Sequence, residues 1–283
     1  MSGVTTGQHG APCCRTCSTR NSDTRNVKPP EEQSVLRSVP FTFHTGGIMK
    51  ILIAALFTCA FIVIGCDPAA ITGSGNITSK DHTVEAFNKL SVKGEIDVDV
   101  TYGTTPSVRI EADDNLHDRI TVRVINNVLE LNTNGQDVDF SKVTAHVVMP
   151  SISGVITYGS GNVNVGTGFC SMTLDIHSYG SGSLAFRGID AKKVTSRVIG
   201  SGKISYVGNI DSHNCTIDGS GDLIATQCTS KQTAIAVFGS GDADVNVSSM
   251  LYADIFGSGN IAYEGSAEVR QKIVGSGKLV KRS

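Results

Sequence analysis

Ile217-Asp218-Gly219-Ser220-Gly221-Asp222-Leu223-Ile224-Ala225 is answered 20 residues on by Val237-Phe238-Gly239-Ser240-Gly241-Asp242-Ala243-Asp244-Val245. The Gly-Ser-Gly triplet stands at 159–161, 180–182, 200–202, 219–221, 239–241, 257–259 and 275–277, at intervals of 21, 20, 19, 20, 18 and 18 residues. A fixed period with one turn signature per unit marks a solenoid, in which each unit buries its apolar face against its neighbours. The second residue after each triplet is Val163, Leu184, Ile204, Leu223, Ala243, Ile261 or Leu279. The fourth is Val165, Phe186, Tyr206, Ala225, Val245, Tyr263 or Lys281, and the residues between are mostly small or polar. Such alternation sends a strand out of every turn with one face inward. Glycine suits the corner because it enters positive φ without steric cost and leaves room where coils stack closely. The expected fold is all-β: a right-handed parallel β-helix-like solenoid with about 20-residue Gly-Ser-Gly coils, each rising ~4.8 Å.

Composition agrees, with 31 Gly, 7 Pro and no Trp in 283 residues, a profile of turn-dense β structure rather than helices. From residue 66 onward there are 18 Lys plus Arg against 23 Asp plus Glu, a net of −5. Without a cationic stripe, nucleic acid is not an expected partner. Of the eight cysteines only Cys170, Cys215 and Cys228 fall in the repeat region. Three is odd, so at least one thiol is expected free, and a disulfide framework does not hold the fold.

The chain before the repeats reads as address. Residues 1–48 are polar and without apolar periodicity, and are expected to be a mis-annotated or disordered leader. A metal-binding reading of Cys13-Cys14-Arg15-Thr16-Cys17 lacks a second ligand cluster at zinc-like spacing. Met49-Lys50 opens a run, Ile51 to Ile64, with no charge, so 49–65 reads as a signal peptide, too short for an ordinary membrane span. Its end, Val63-Ile64-Gly65-Cys66, resembles the bacterial lipobox and makes Cys66 the expected lipidation site. The expected partner is then a membrane, reached through the lipid, and the expected location is the cell envelope, at the outer membrane or a periplasm-facing membrane. Residues 66–80 serve as anchor and linker. In 81–283, the first part to 150 alternates without the triplet and is expected to form irregular first coils, packed on and capping the repeats, with Asn126-Asn127 as a tight hairpin turn. The triplet repeats fill 151–283.

Phe87-Asn88-Lys89-Leu90-Ser91-Val92-Lys93-Gly94 with Ile96-Asp97-Val98, then Val108-Arg109-Ile110-Glu111-Ala112-Asp113-Asp114-Asn115-Leu116, then Val147-Val148-Met149-Pro150 precede the triplet ladder. In order and content this is similar to the putative auto-transporter adhesin, head GIN domain family, over about residues 81–283. The resemblance implies an envelope protein, often with a lipoprotein signal, a β-helix fold, and adhesion; it carries no catalytic residues.

Several constellations bear on chemistry. The position after the triplet reads Asn162, Ser183, Lys203, Asp222, Asp242, Asn260 and Lys278. Lysines in that column are incompatible with a regular calcium ladder, so no metal or cofactor is expected, although Asp222 and Asp242 leave room for one ion. Asp97 with Asp99, and Asp242 with Asp244, are same-face carboxylate pairs of the kind that β-helical polysaccharide lyases and hydrolases use, yet neither has an evident basic partner at matching phase. No nucleophile motif stands out. The residue before each triplet is Tyr158, Tyr179, Ile199, Asp218, Phe238, Phe256 or Val274. If the preceding residues point inward, Tyr158, Tyr179, Phe238 and Phe256 form an outward edge for a glycan or an envelope or host surface protein, divided into two patches by Asp218. The alternative is that the chain bends and tucks these rings into the core. The functional expectation is a non-enzymatic binding, adhesion or scaffold module; the alternative is a β-helical carbohydrate-active enzyme.

Overall fold

The computed structural model describes residues 71–133 and 138–282. Cys66, the signal peptide and the leader lie outside the described residues. Long strands Phe169–Gly180, Ser183–Gly200, Lys203–Gly219, Asp222–Gly239 and Ala243–Gly257 follow one another, each hydrogen-bonded in parallel to the next. The result is a β-solenoid whose parallel bridges join residues about 20 apart. Register shifts between Phe186 and Ile189, and between Ser205 and Gly208, mark a second corner opposite the triplet.

The triplets stack as one column. Gly159, Gly180, Gly200, Gly219, Gly239, Gly257 and Gly275 succeed one another in register. From Gly159 to Gly239 the carbonyl of the leading glycine accepts the N–H of the next coil's serine, as in Ser220 N–H to Gly200 O at 2.9 Å and Ser240 N–H to Gly219 O at 2.9 Å, while Gly257 O accepts Gly277 N–H at 3.0 Å. Gly239 illustrates why the residue must be glycine: its φ is +125°, and a Cβ there would collide with the carbonyl oxygen of Gly219 below. The position after the triplet has its own ladder. Asn162 Oδ1 accepts the N–H of Ser183 at 3.1 Å, and Asp242 Oδ1 accepts the N–H of Asn260 at 2.8 Å. These side chains serve the backbone of the following coil, satisfying donors that a sharp turn would otherwise strand.

The alternation read from the sequence fills the core. Val163, Leu184, Ile204, Leu223, Ala243 and Ile261 are buried, as are Val165, Phe186, Tyr206, Ala225 and Val245. Apolar side chains thus stack from coil to coil, and burying each of the Val, Leu, Ile and Phe side chains stabilises by about 1.5–3 kcal/mol relative to exposure.

The region before residue 154 divides into a true coil and a cap. Strands Lys89–Lys93 and Asp97–Tyr102 pair in parallel with Gly154–Gly159 and Val163–Val165. Gly94-Glu95-Ile96 therefore occupies the place of a triplet, with Gly94 N–H donating to Tyr158 O at 2.8 Å. This rung was hidden because its sequence lacks Ser-Gly and it lies 65 residues before its neighbour. The intervening chain is not coil. Ser107–Asp113 runs antiparallel between Ile77–His82 and Val143–Met149, and Ile120–Ile125 forms a hairpin with Val128–Thr133. Asn126 and Asn127, at φ 51° and 62°, make its turn. Val128–Thr133 and Val143–Met149 then run parallel under the first coil and cover its open edge, as terminal units of solenoids must.

Candidate functional site

The strands that enter the first six triplets turn Thr157, Ser178, Val198, Ile217, Val237 and Ile255 into the core, whereas Ile273, before the last triplet, is exposed. By strand alternation the next residues face out. Lys93, Tyr158, Tyr179, Ile199, Asp218, Phe238, Phe256 and Val274 stand in register up the column. Tyr158 and Phe238 are exposed, at 42% and 43%, whereas Tyr179 and Phe256 are half-buried. The rings are not tucked into the core.

Their arrangement differs from an open platform. Tyr158 stacks on Tyr179 with centroids 4.9 Å apart and planes 6° from parallel, and Phe238 stacks on Phe256 at 5.1 Å and 4°. The Lys93 ammonium lies 5.7 Å from the Tyr158 centroid, and that of Lys272 lies 5.4 Å from the Phe256 centroid. Coil spacing, close to the stacking distance of aromatic rings, causes this. Ring faces are largely spent on one another and on lysines, so the column offers chiefly edges to a partner. Ile199 and Asp218 separate the two stacks. Tyr252, 44% exposed, stands two outward positions before Phe256 on the same strand, beyond exposed Asp254, with the Arg270 guanidinium 5.9 Å from its ring.

A second feature lies on the outer face of the cap. Sheet register places Asp81, Arg109, His146 and Asp99 in one line across four strands. Arg109 donates two hydrogen bonds to Asp81, at 2.7 and 3.4 Å. His146 Nδ1 stands 3.8 Å from Asp99 Oδ2 and its Nε2 3.5 Å from Glu111 Oε1, while Lys142 Nζ lies 2.9 Å from the other Glu111 oxygen. An open hollow of about 440 Å³ adjoins Asp81, Arg109, Glu111 and His146. Asp99 thus does have a basic neighbour, His146, contrary to the sequence reading, because the cap strand that supplies it, Val143–Met149, pairs in parallel beside Asp97–Tyr102 without being related to it by the coil period. Asp244 likewise meets Arg282, at 2.9 Å. The hydrogen bond from Arg109 holds the Asp81 carboxyl below its ordinary range, and that from Lys142 does the same for Glu111. A general acid needs the opposite shift. These carboxylates are set as acceptors in ion pairs.

Inside the solenoid, His213 is buried, with Nε2 2.8 Å from Ser196 Oγ and its ring edge-on to Tyr206 at 5.3 Å. Desolvation lowers its pKa to about 4, so it is neutral. Cys215 and Cys228 are buried free thiols whose pKa desolvation pushes up to about 12. Nothing in their spacing distinguished these residues as a group; only coil stacking brings them near one another.

The fold and the exposed lateral column define a class: a β-solenoid with a capped first coil and a ribbed outer face. Residues 86–267 match the family described as putative auto-transporter adhesin, head GIN domain, and the chain belongs to that family. Among solved structures, a putative adhesin from Bacteroides fragilis is similar at 24% identity and TM-score 0.72, over 75% of this chain and 100% of that one. A putative adhesin from Parabacteroides distasonis matches at 26% identity and TM-score 0.60, over 75% and 99%. A protein from the same organism described as a putative lipid binding protein matches at 21% and 0.61, over 75% and 99%. No curated protein matches the chain.

Proposed function

We propose that the chain is a lipid-anchored cell-envelope adhesion module, held by Cys66 and binding a glycan or a surface protein along the edge of Tyr158, Tyr179, Phe238 and Phe256. The observation that carries this reading is the exposed, self-stacked aromatic column. Exposed aromatics in register are unfavourable for solubility, and they find their use when a partner covers them. From Lys93 to Val274 the column spans eight coils, so its seven steps cover ~34 Å at strand spacing. That length suits an extended glycan or a flat protein surface, and ring edges with Asp218 between the two stacks and Lys93 and Lys272 beside the rings supply both apolar and polar contact. Membership in an adhesin-described family supports an extracellular or envelope location. The lipid anchor rests on the lipobox alone.

The competing reading is a carbohydrate-active enzyme, and the observation in its favour is the Asp81, Arg109, Glu111, His146 and Asp99 cluster. Adhesion is better supported because the Asp81 and Glu111 carboxylates are committed to ion pairs and shifted toward ionisation. The test is a glycan and envelope-protein binding screen of residues 67–283 beside the Phe238→Ser/Phe256→Ser double variant. Binding should fall in the variant with its melting temperature nearly unchanged. Turnover of a polysaccharide, abolished by His146→Ala, would decide for the enzyme.

A further inference from the structure

Two positions before the aromatic column on the same face, Lys89, Gly154 and Asp175 succeed one another in adjacent coils. Later coils place Thr195, Asn214, Ala234, Tyr252 and Arg270 there. Only the second coil has no side chain at this position, and a cavity of about 170 Å³ opens where it would stand. The backbone does not demand this glycine: its φ is not positive, and a Cβ would lie 3.3 Å from Asp175 O and 3.5 Å from Lys89 Cγ. These are tight contacts, unlike the collision at Gly239. The effect of Gly154 is the space itself.

Leu90, Val128 and Ile156 give the cavity apolar walls, while Lys89, Asp175 and His177 bring polar groups to it. His177 lies parallel to Tyr179 at 6.1 Å, and Tyr179 in turn stacks on Tyr158. The Nδ1 of His177 is sealed from solvent without a hydrogen-bond partner. Stranding a buried polar atom costs about 1–3 kcal/mol, so such an atom calls for an explanation. A flip of the ring exchanges Nδ1 with Cδ2 in the same outline, which can turn the nitrogen toward a group in the cavity.

We propose that this cavity is a binding site for one neutral sugar ring, the terminal unit of a glycan whose next units run past Tyr179 and Tyr158. The proposal rests on the binding reading above and fixes a place and a ligand chemistry for it. A pyranose has an apolar C–H face and an edge of hydroxyls that both donate and accept. The walls match the first, and an ammonium donor, a carboxylate acceptor and an imidazole match the second. An aliphatic chain would strand Lys89 and Asp175 without partners, an anion would face Asp175, and a cation would face Lys89.

The test applies the full chain to an array of neutral and charged glycans, then titrates any sugar that binds into the wild type and three variants. Gly154→Val fills the cavity with a side chain suited to an extended strand, His177→Ala removes the imidazole, and Val280→Ser, at an exposed position on the last strand, touches neither the cavity nor the aromatic edge. The expected result is recognition of a neutral terminal sugar. Gly154→Val and His177→Ala should each lose about tenfold or more in affinity, equivalent to about 1.4 kcal/mol, and Val280→Ser should keep it. Melting curves verify that each variant folds; should Gly154→Val not fold, Gly154→Ser takes its place. Binding lost in the Phe238→Ser/Phe256→Ser variant of the binding screen but kept in Gly154→Val and His177→Ala would overturn the site while leaving the adhesion reading intact. Silence on the array, with adhesion to cells still dependent on Phe238 and Phe256, would overturn the sugar and keep the edge; silence in both assays would overturn both.

Discussion

Gly239→Ala should destabilise the protein far more than Gly154→Ala, although both add the same methyl to a strand glycine and Gly154 is the more buried of the two. At Gly239 the backbone sits at φ +125°, a region that an L side chain occupies only under strain, and holding it there costs about 1–3 kcal/mol. The new methyl would also collide with the carbonyl oxygen of Gly219, the acceptor for Ser240 N–H. Relieving such a clash in a close-packed stack costs about another 1–3 kcal/mol. The sum is about 2–6 kcal/mol, which for a chain of this size lowers Tm by at least about 4 °C. Gly154→Ala meets neither cost in full and relieves some glycine entropy, so its change should stay within about 1 kcal/mol. Equilibrium urea unfolding of the two variants beside wild type gives the difference, with an unchanged m-value showing that the same surface unfolds. Equal stability of the two variants would refute the claim that the triplet column is fixed by backbone collision and positive φ.

Cys66→Ala should abolish incorporation of a palmitate analogue in cells; equal labelling of the variant would remove the lipid anchor. Because the folded pKa of His213, about 4, lies below its ordinary 6.5, the unfolded chain binds more protons in that interval. Stability is therefore full above pH 6.5 and falls as pH drops toward 4, by roughly 3 kcal/mol from this residue. Urea midpoints measured from pH 7 to 4 should show that fall in wild type and a shallower one in His213→Gln. Native protein should leave Cys215 and Cys228 unlabelled by a thiol reagent at pH 8, while denaturant exposes both; rapid native labelling at either would contradict their burial and raised pKa.

The repeat made the solenoid legible from sequence because its interactions are periodic. One turn signature per coil, with period-two alternation after it, fixed which of Leu184, Ile204 and Leu223 face inward and which neighbours face out. The family resemblance, carried by residues such as Phe87–Gly94 and Val147–Pro150, pointed to the same fold. Wherever partners are related by something other than one coil period, the sequence was silent. Gly94-Glu95-Ile96 is a rung without the signature, separated from its neighbour by the cap. His146 reaches Asp99 and Glu111 only because Val143–Met149 pairs in parallel with one strand and antiparallel with another. Alternation allowed an outward phase for Tyr158, Tyr179, Phe238 and Phe256 but equally a bend that tucks them into the core, and that they face out with their faces closed on each other follows from coil spacing and rotamers. The same holds at Gly154, whose missing side chain becomes a cavity only because Lys89 and Asp175 lie directly on either side. Alternation and period are properties of the chain, whereas juxtaposition across 20 or 65 residues is decided by the hydrogen-bond register of the sheet, which exists only once the coils have stacked.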